Sequence, residues 1–249
     1  MLKEERQSFI IKQINLHNKV LSNELSKKLA VSEDTIRRDL KELAKTGKIL
    51  KVHGGAIGKA FHYPYHHNSE IYAQTAKQII ADKAISLLKD DMVILTGGGT
   101  TMIEMAKKIP DNLKATFFTI SPMVALTLAN HDNLTVIGIG GELSKNSNVF
   151  IGTSVINQLF DLKMDLCLLG ANGISIQEGM TDSDWSVVQV KRAMIHSCQK
   201  LAILSITEKL NTVQRMKVCD LNLIDYLITE SSKEEPILSP YQKTKTELL

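Results

Sequence analysis

From Met92 to Thr229 the chain repeats one pattern: a short apolar run, then glycines or hydroxyl-bearing residues, then a stretch with helical spacing. The runs are MVIL from 92, ATFFTI from 115, LTVIGI from 134, DLCLLG from 165, KLAILSI from 200 and YLIT from 226. Apolar runs this short, bounded by turn residues, read as buried strands. The segments between them, Thr101–Lys108, Pro122–Ala129, Thr153–Phe160 and Asp184–Gln199, read as helices. Alternation of this kind specifies an α/β domain around a mainly parallel sheet of five or six strands, joined by right-handed crossovers. Ligands of such sheets bind beyond the carboxyl ends of the strands, which places any site in the loops after Leu95, Ile120, Ile139 and Leu169.

Those loops are rich in groups that suit an anion. Thr96 to Thr101 reads TGGGTT, in which Gly98 and Gly99 let backbone amides approach a ligand while Thr100 and Thr101 open the next helix. The run lacks the lysine of a Walker loop and is not a G-x-G-x-x-G dinucleotide fingerprint. A tight strand-to-helix turn is its other reading. Ser121 precedes Pro122 at a helix start, Gly140 and Gly141 follow the third run, and Gly170-Ala171-Asn172-Gly173 follows the fourth. Four such ends on one rim suit a small phosphorylated ligand. Lys191 and Lys209 are the candidate point charges for it, each with a solvated-lysine alternative. Asp182 and Asp184 precede the Lys191 helix, where capping is the preferred reading over binding sugar hydroxyls. For Trp185, the single tryptophan, packing is preferred over lining the pocket.

The N-terminal part has a different character. Residues 1–57 carry 12 Lys+Arg against 7 Asp+Glu, net +5, whereas the remainder carries 18 against 20, net −2. A surplus of cations at one end supplies sequence-independent attraction to nucleic acid through counterion release. Within it, helical spacing runs over Leu2–Leu16, over a segment beginning at Ser22, and over a third beginning at Ser32 or Glu33, with Asn18 and Lys19 as a turn. Ser32 is placed as N-cap, with Glu33 and Asp34 at the positive end of the helix dipole. Ile36, Leu40 and Leu43 share one face of this helix, while Arg38, Lys41 and Lys45 centre on the other with Thr35 and Arg37 flanking. Gly47 ends it, and the alternation from Lys48 to Lys51 leading to His53-Gly54-Gly55 outlines a hairpin wing. Three helices with a tight second turn match a helix-turn-helix whose last helix enters the major groove. A merely solvated cationic face is the alternative.

The run from Leu21 to Ala56, with V-S-x-x-T-I-R-R-D-L at Val31–Leu40 and H-G-G-A at His53–Ala56, resembles the N-terminal signature of the DeoR family of bacterial transcriptional repressors. The resemblance extends to about Glu230 through Gly99-Thr100-Thr101, Ser121, Gly140-Gly141, Gly152, Leu169–Ile174, Gly179 with Thr181, Lys191 with Ala193–Ile195, and Lys209. It implies an N-terminal winged helix-turn-helix domain followed by an α/β domain resembling ribose-5-phosphate isomerase, whose phosphosugar ligand usually relieves repression. DNA contacts are then expected from Ser32, Thr35, Arg37, Arg38, Lys41, His53 and Gly54, and effector contacts from Gly98, Gly99, Thr100, Thr101, Ser121, Gly141, Asn172, Lys191 and Lys209. The chain departs from the family at Gly97-Gly98, where many members carry Asp-Ser or Asp-Ala, at Ile120 in place of Asn, at Ser144 in place of Arg, and at Ile206 in place of Asp. The phosphate cradle is largely kept, while the sugar-facing groups differ.

The expected division is 1–57 for the DNA-binding domain, 58–69 for a linker, 70–230 for the sensing domain and 231–249 for a tail whose end is disordered. His62, His66 and His67 fall in that linker, where Pro64 disfavours a helical pair, so no metal is expected, and no other cofactor. Cys167, Cys198 and Cys219 have no C-x-x-C spacing and read as core thiols. No apolar stretch long enough to span a bilayer or serve as a signal core is present, so the expected location is cytoplasmic, with no membrane partner. The expected partners are a double-stranded operator, a phosphorylated sugar and further copies of the chain as a dimer or tetramer, since a two-fold operator needs paired recognition helices. Two alternatives stay open: a repressor with altered or lost phosphosugar binding, and an active phosphosugar isomerase or hydrolase. Asn172, at a place where the resembled enzymes carry acidic residues, speaks against turnover.

Overall fold

The computed structural model describes residues 1–17, 19–58 and 71–249. They form two compact units, Met1–Tyr72 and Ala73–Leu249. The histidine-bearing stretch considered for a metal, and Asn18, lie outside the described residues.

The first unit is a winged helix. Helices α1 (Lys3–His17), α2 (Ser22–Leu29) and α3 (Glu33–Lys45) pack on a three-stranded antiparallel sheet of β1 (Lys19–Leu21), β2 (Ile49–Val52) and β3 (Gly55–Gly58), ordered β1-β3-β2. Lys19 is thus part of a strand rather than a turn, paired with Ile57. The core is assembled from Ile10 and Ile14 of α1, Leu25 and Leu29 of α2, and Ile36, Leu40 and Leu43 of α3. The link between α2 and α3 is tight because Ala30 adopts a left-handed conformation, φ 52°, and the Ser26 hydroxyl donates to the Val31 carbonyl at 2.6 Å. In the wing, Gly54 is left-handed, φ 74°, and Gly55 has no room for a side chain: a Cβ there would stand 1.9 Å from the Val20 carbonyl oxygen. The two glycines therefore serve the turn and the close approach of β1.

The second unit is built on a seven-stranded sheet in which every adjacent pair is parallel. Its chain order is α4 (Gln74–Ile85), β4 (Val93–Thr96), α5 (Thr100–Lys107), β5 (Ala115–Thr119), α6 (Pro122–Leu128), β6 (Leu134–Gly138), a hairpin of β7 (Glu142–Ser144) and β8 (Val149–Ile151), and α7 (Thr153–Phe160). There follow β9 (Met164–Gly170), β10 (Gly173–Ser175), β11 (Gly179–Asp182), α8 (Trp185–His196), β12 (Cys198–Leu204), β13 (Met216–Cys219), β14 (Tyr226–Ile228) and β15 (Glu247–Leu248). The sheet runs β15-β14-β12-β9-β4-β5-β6, and β10, β11 and β13 form a small side sheet. The strand order reverses between β4 and β9, so the crevice beyond Thr96 and Gly170 is the topological switch point.

Three expectations are corrected here. The tail is ordered: Leu238 and Tyr241 are buried and Glu247–Leu248 adds the outermost strand, because the free edge of β14 offers backbone partners and the apolar tail residues cap the core. Spacing predicts the helix that opens the unit over Glu70–Leu88, with Ile79, Ile80, Ala84 and Leu87 as its apolar stripe; the helix spans Gln74–Ile85, with Lys77 turned inward and Ile79 40% exposed. Gln199 belongs to β12 rather than to the preceding helix, which stops at His196. The three cysteines are free, with Cys167 and Cys219 buried and Cys198 half-buried.

Candidate functional site

The outward face of α3 is where the first unit concentrates cations. Ser32 caps the helix, its Oγ accepting from the Thr35 amide at 3.2 Å and lying 2.9 Å from the Thr35 hydroxyl, so both side chains sit at the helix start. Arg38 and Lys41 are exposed and have no ion-pair partner among the described residues. Arg37 differs: it bridges back to Glu33 and Asp34, each at 3.3 Å. His53 and Gly54 form the exposed tip of the wing. The orientation of α3 is set from behind by a carboxylate that the charge pattern did not single out. Asp39, on the buried face, takes Arg6 of α1 through Nε at 2.5 Å and Nη2 at 3.2 Å, with Gln7 at 3.3 Å. The paired carboxylate holds the Arg6 guanidinium above its ordinary pKa.

In the second unit the expected effector residues gather at the switch point. The Gly97 amide donates to Leu168 O at 3.0 Å, which locks the glycine loop against β9. Gly98 leaves the space beside Ser121 and Val149 free: a Cβ there would meet Val149 at 2.5 Å and Ser121 Cβ at 3.2 Å. Gly99, φ 110°, is the N-cap of α5 and offers no side-chain cap, so Thr100 and Thr101 lie in a first turn whose amides are not capped by a side chain. Ser121 is buried and spends its hydroxyl on the start of α6, accepting from Val124 N at 3.5 Å. Gly141 has a packing reason instead of a ligand-facing one, since a Cβ would lie 2.7 Å from Val155 and 2.8 Å from Ile151 O.

Beyond β9 the polar groups are organised by a buried carboxylate. Asp182 accepts from Lys191 Nζ at 2.7 Å, from Asn172 Nδ2 at 2.9 Å and from the Ser183 amide at 2.7 Å. Burial alone would raise its pKa; the Lys191 charge and these hydrogen bonds outweigh that and hold it below the ordinary value. Lys191 also donates to Gly170 O at 2.9 Å, so its charge is already matched. Asp184 caps α8, as the residue pattern suggests, accepting from the amides of Ser186 and Val187. Trp185, beside it, is 61% exposed rather than packed.

Lys209 is placed by a short 3-10 turn after β12 and donates to Ala171 O at 2.8 Å. Burial pushes its ammonium down to about 7, with repulsion from Lys77 and Lys191 adding to the effect and Asp182 opposing it. Lys77 of α4, 8% exposed, is likewise taken by burial to about 8 against the attraction of Glu104. Lys209 therefore stands in a cluster with Lys77, Lys191 and Asp182 at the carboxyl end of β9.

Residues 6–59 match the model described as a DeoR-like helix-turn-helix domain, and residues 73–231 match that of the DeoR C-terminal sensor domain. The chain belongs to the DeoR family of transcriptional regulators. The DeoR-family relatives include the HTH-type transcriptional regulator GolR of Listeria innocua, 30% identical over 96% of this chain and 94% of that protein. They also include the HTH-type transcriptional repressor GlcR of Bacillus subtilis, 29% identical over 100% of this chain and 96% of that one. Among solved structures, a D-ribose-5-phosphate isomerase in complex with phospho-erythronic acid overlays with a TM-score of 0.41 at 18% identity, covering 54% of this chain and 52% of the isomerase.

Two residues of this DeoR-family chain escaped the sequence reading. Lys77 looks like any surface lysine of a helix, and only its place one turn before the buried pair Ile80-Ala81 hints that it faces inward. Asp39 sits between Ile36 and Leu40-Leu43 on the apolar face, and that spacing was the available signal. Among the described residues no helix is long and apolar enough to cross a membrane, and no group of three His, Cys, Asp or Glu is placed to hold a metal.

Proposed function

We propose that this regulator is a repressor of carbohydrate genes, acting in the cytoplasm as a dimer or larger assembly, whose DNA affinity is lowered by a phosphorylated sugar bound at the switch point of the second unit. The observation that carries the reading is the grouping at the switch point: the glycine loop is locked to β9 through the Gly97 amide and Leu168 O, and Lys191 and Lys209 are held on the adjoining carbonyls of Gly170 and Ala171. The phosphate would take the amides of Gly99, Thr100 and Thr101 and the ammonium groups of Lys209 and Lys77. Asn172 and the Asp182–Lys191 pair would face the sugar. Asp182 is committed to Lys191, Asn172 and Ser183, which favours binding over proton transfer and hence a sensor over an isomerase. Arg38 and Lys41 would supply the principal side-chain contacts to the operator, Ser32 and Thr35 those at the helix start, and His53 with Gly54 those of the wing.

The test couples two measurements on the full chain. A thermal-shift screen of pentose and hexose phosphates should show stabilisation of about 2.7 kcal/mol at 100 times the dissociation constant. Compounds that stabilise should also release a fluorescent operator duplex in anisotropy titrations. Stabilisation by none of them, or conversion of a sugar phosphate at an enzyme-like rate, would sink the sensor reading.

A further inference from the structure

The C-terminal segment touches two loops of the proposed site through Tyr241. Tyr241 is fully buried and its hydroxyl stands between two loops of the site. It accepts from the Asn211 amide at 3.3 Å and lies 3.2 Å from both Ile174 O and Asn211 Oδ1, to either of which it can donate. Ile174 follows Asn172 by two positions, and Asn211 follows Lys209 by two. Asn211 holds a left-handed conformation, φ 56°, which sharpens the turn that sends Lys209 back towards Ala171. The same loop is fastened by Thr212 Oγ1 to Lys209 O at 2.8 Å, and it presses on Gly173 so closely that a Cβ there would meet Thr212 O at 2.8 Å.

We propose that Tyr241 is a positioning residue of the anion site: its hydroxyl pins the Lys209–Thr212 loop to the strand that follows Asn172 and so fixes where the Lys209 ammonium stands. The proposal rests on reading the crevice as an anion site and adds that the C-terminal segment is a working part of the sensor. Lys209 is faced by Lys77 from α4, by Lys191 from α8 and by Asp182 from β11. A loop released from Tyr241 would let the amine turn to water, regain an ordinary lysine titration and stop presenting its charge to the crevice.

The test compares the full-length chain with Tyr241→Phe and Asn211→Gly. The first keeps the ring and removes the hydroxyl. The second changes an exposed residue whose positive φ glycine accepts, so it carries the test if the first variant does not fold. Leu248→Ala, in the same segment but on β15, serves as the control for lost stability alone. Two readouts are taken. Calorimetry gives affinity for inorganic phosphate and for a pentose phosphate, expected to fall about five- to tenfold in both variants, the size of one lost hydrogen bond. Competitive acetylation with mass spectrometry gives the protonation midpoint of Lys209 in the ligand-free protein, expected to rise by about one unit or more in both variants and to stay put in the control. Lowered melting temperatures with an unmoved Lys209 midpoint and unchanged affinity would show Tyr241 to be a packing residue only and overturn the proposal. If the parent chain binds neither probe, the anion-site reading fails, and the Lys209 midpoint still decides the role of Tyr241.

Discussion

Replacing Arg6 with methionine should loosen the DNA-binding unit while leaving the second unit intact. The Arg6 side chain is 12% exposed and that of Asp39 3%, and two charge-assisted hydrogen bonds join them. Removing one partner of a fully buried pair costs about 3–5 kcal/mol; the residual exposure of Arg6, and Gln7 left on the carboxylate, place this case at about 2–3 kcal/mol. A unit of this size rarely has more than about 3–5 kcal/mol to lose, so the variant should be partly unfolded at ordinary temperature and should bind DNA weakly. Urea titrations separate the two units cleanly, because Trp185, the single tryptophan, lies in the second. Its fluorescence transition should not move, while a far-UV circular dichroism transition assigned to the first unit shifts to lower urea. R6M/D39L, which removes both charges, should recover part of the loss, since an uncompensated carboxylate is the main cost. If R6M melts within about 0.5 kcal/mol of the parent and keeps its DNA affinity, the clamp has no role in setting α3.

Three further outcomes follow from particular contacts. Arg38→Ala should weaken operator binding by about 1–3 kcal/mol if the side chain reads a guanine, or lower the salt slope by about one if it meets a phosphate; Arg37→Ala should cost less, because Arg37 gives up Glu33 and Asp34 to bind. Anisotropy titrations over a salt series check both, and unchanged affinity and slope in R37A/R38A would remove α3 from the interface. Lys209 and Lys77 have folded pKa values near 7 and 8, below the 10.5 of the unfolded chain, so the unfolded state holds more protons across that window. Stability therefore rises with pH from about 7 towards 10.5, and the penalty for charged lysines is full below it. A bound dianion reverses the preference, so sugar-phosphate affinity should fall as pH climbs through 7 and 8, with proton uptake visible by calorimetry in buffers of different ionisation heat. Gly55→Ala drives a Cβ to 1.9 Å from Val20 O and should cost about 3 kcal/mol or more, read as a lowered melting temperature of the first unit.

Much of the architecture was legible because it is written in periodicity. Ile36, Leu40 and Leu43 mark the buried side of α3, and the apolar runs of the second unit fall on β4, β5, β6, β9, β12 and β14 within a residue or two. What escaped lacks a period. β1 has three residues and β15 two, too few to show alternation, and each forms only because a neighbouring strand leaves an edge open. The glycine loop was readable as a tight strand-to-helix turn at the end of β4, whereas the pairing of Lys191 with Asp182 and the approach of Lys77 to Lys209 depend on how separate elements pack. Arg37 is a case that spacing alone could have settled: Glu33 and Asp34 lie one turn before it, the separation at which helix side chains pair.

The order of strands in the large sheet also has a meaning for synthesis. The interior strand β4 is made first, β5 and β6 then extend one side, and β9, β12, β14 and β15 extend the other in the order in which they leave the ribosome. Each strand joins the edge left by an earlier one, and none has to be inserted between two already paired. Growth of this kind spares the nascent chain from prying apart a finished ladder, a slow step in sheets of long-range contacts. It also means that Glu247 and Leu248, on the strand latest in sequence, close the sheet along the edge of β14 and can pair only after β14 is in place.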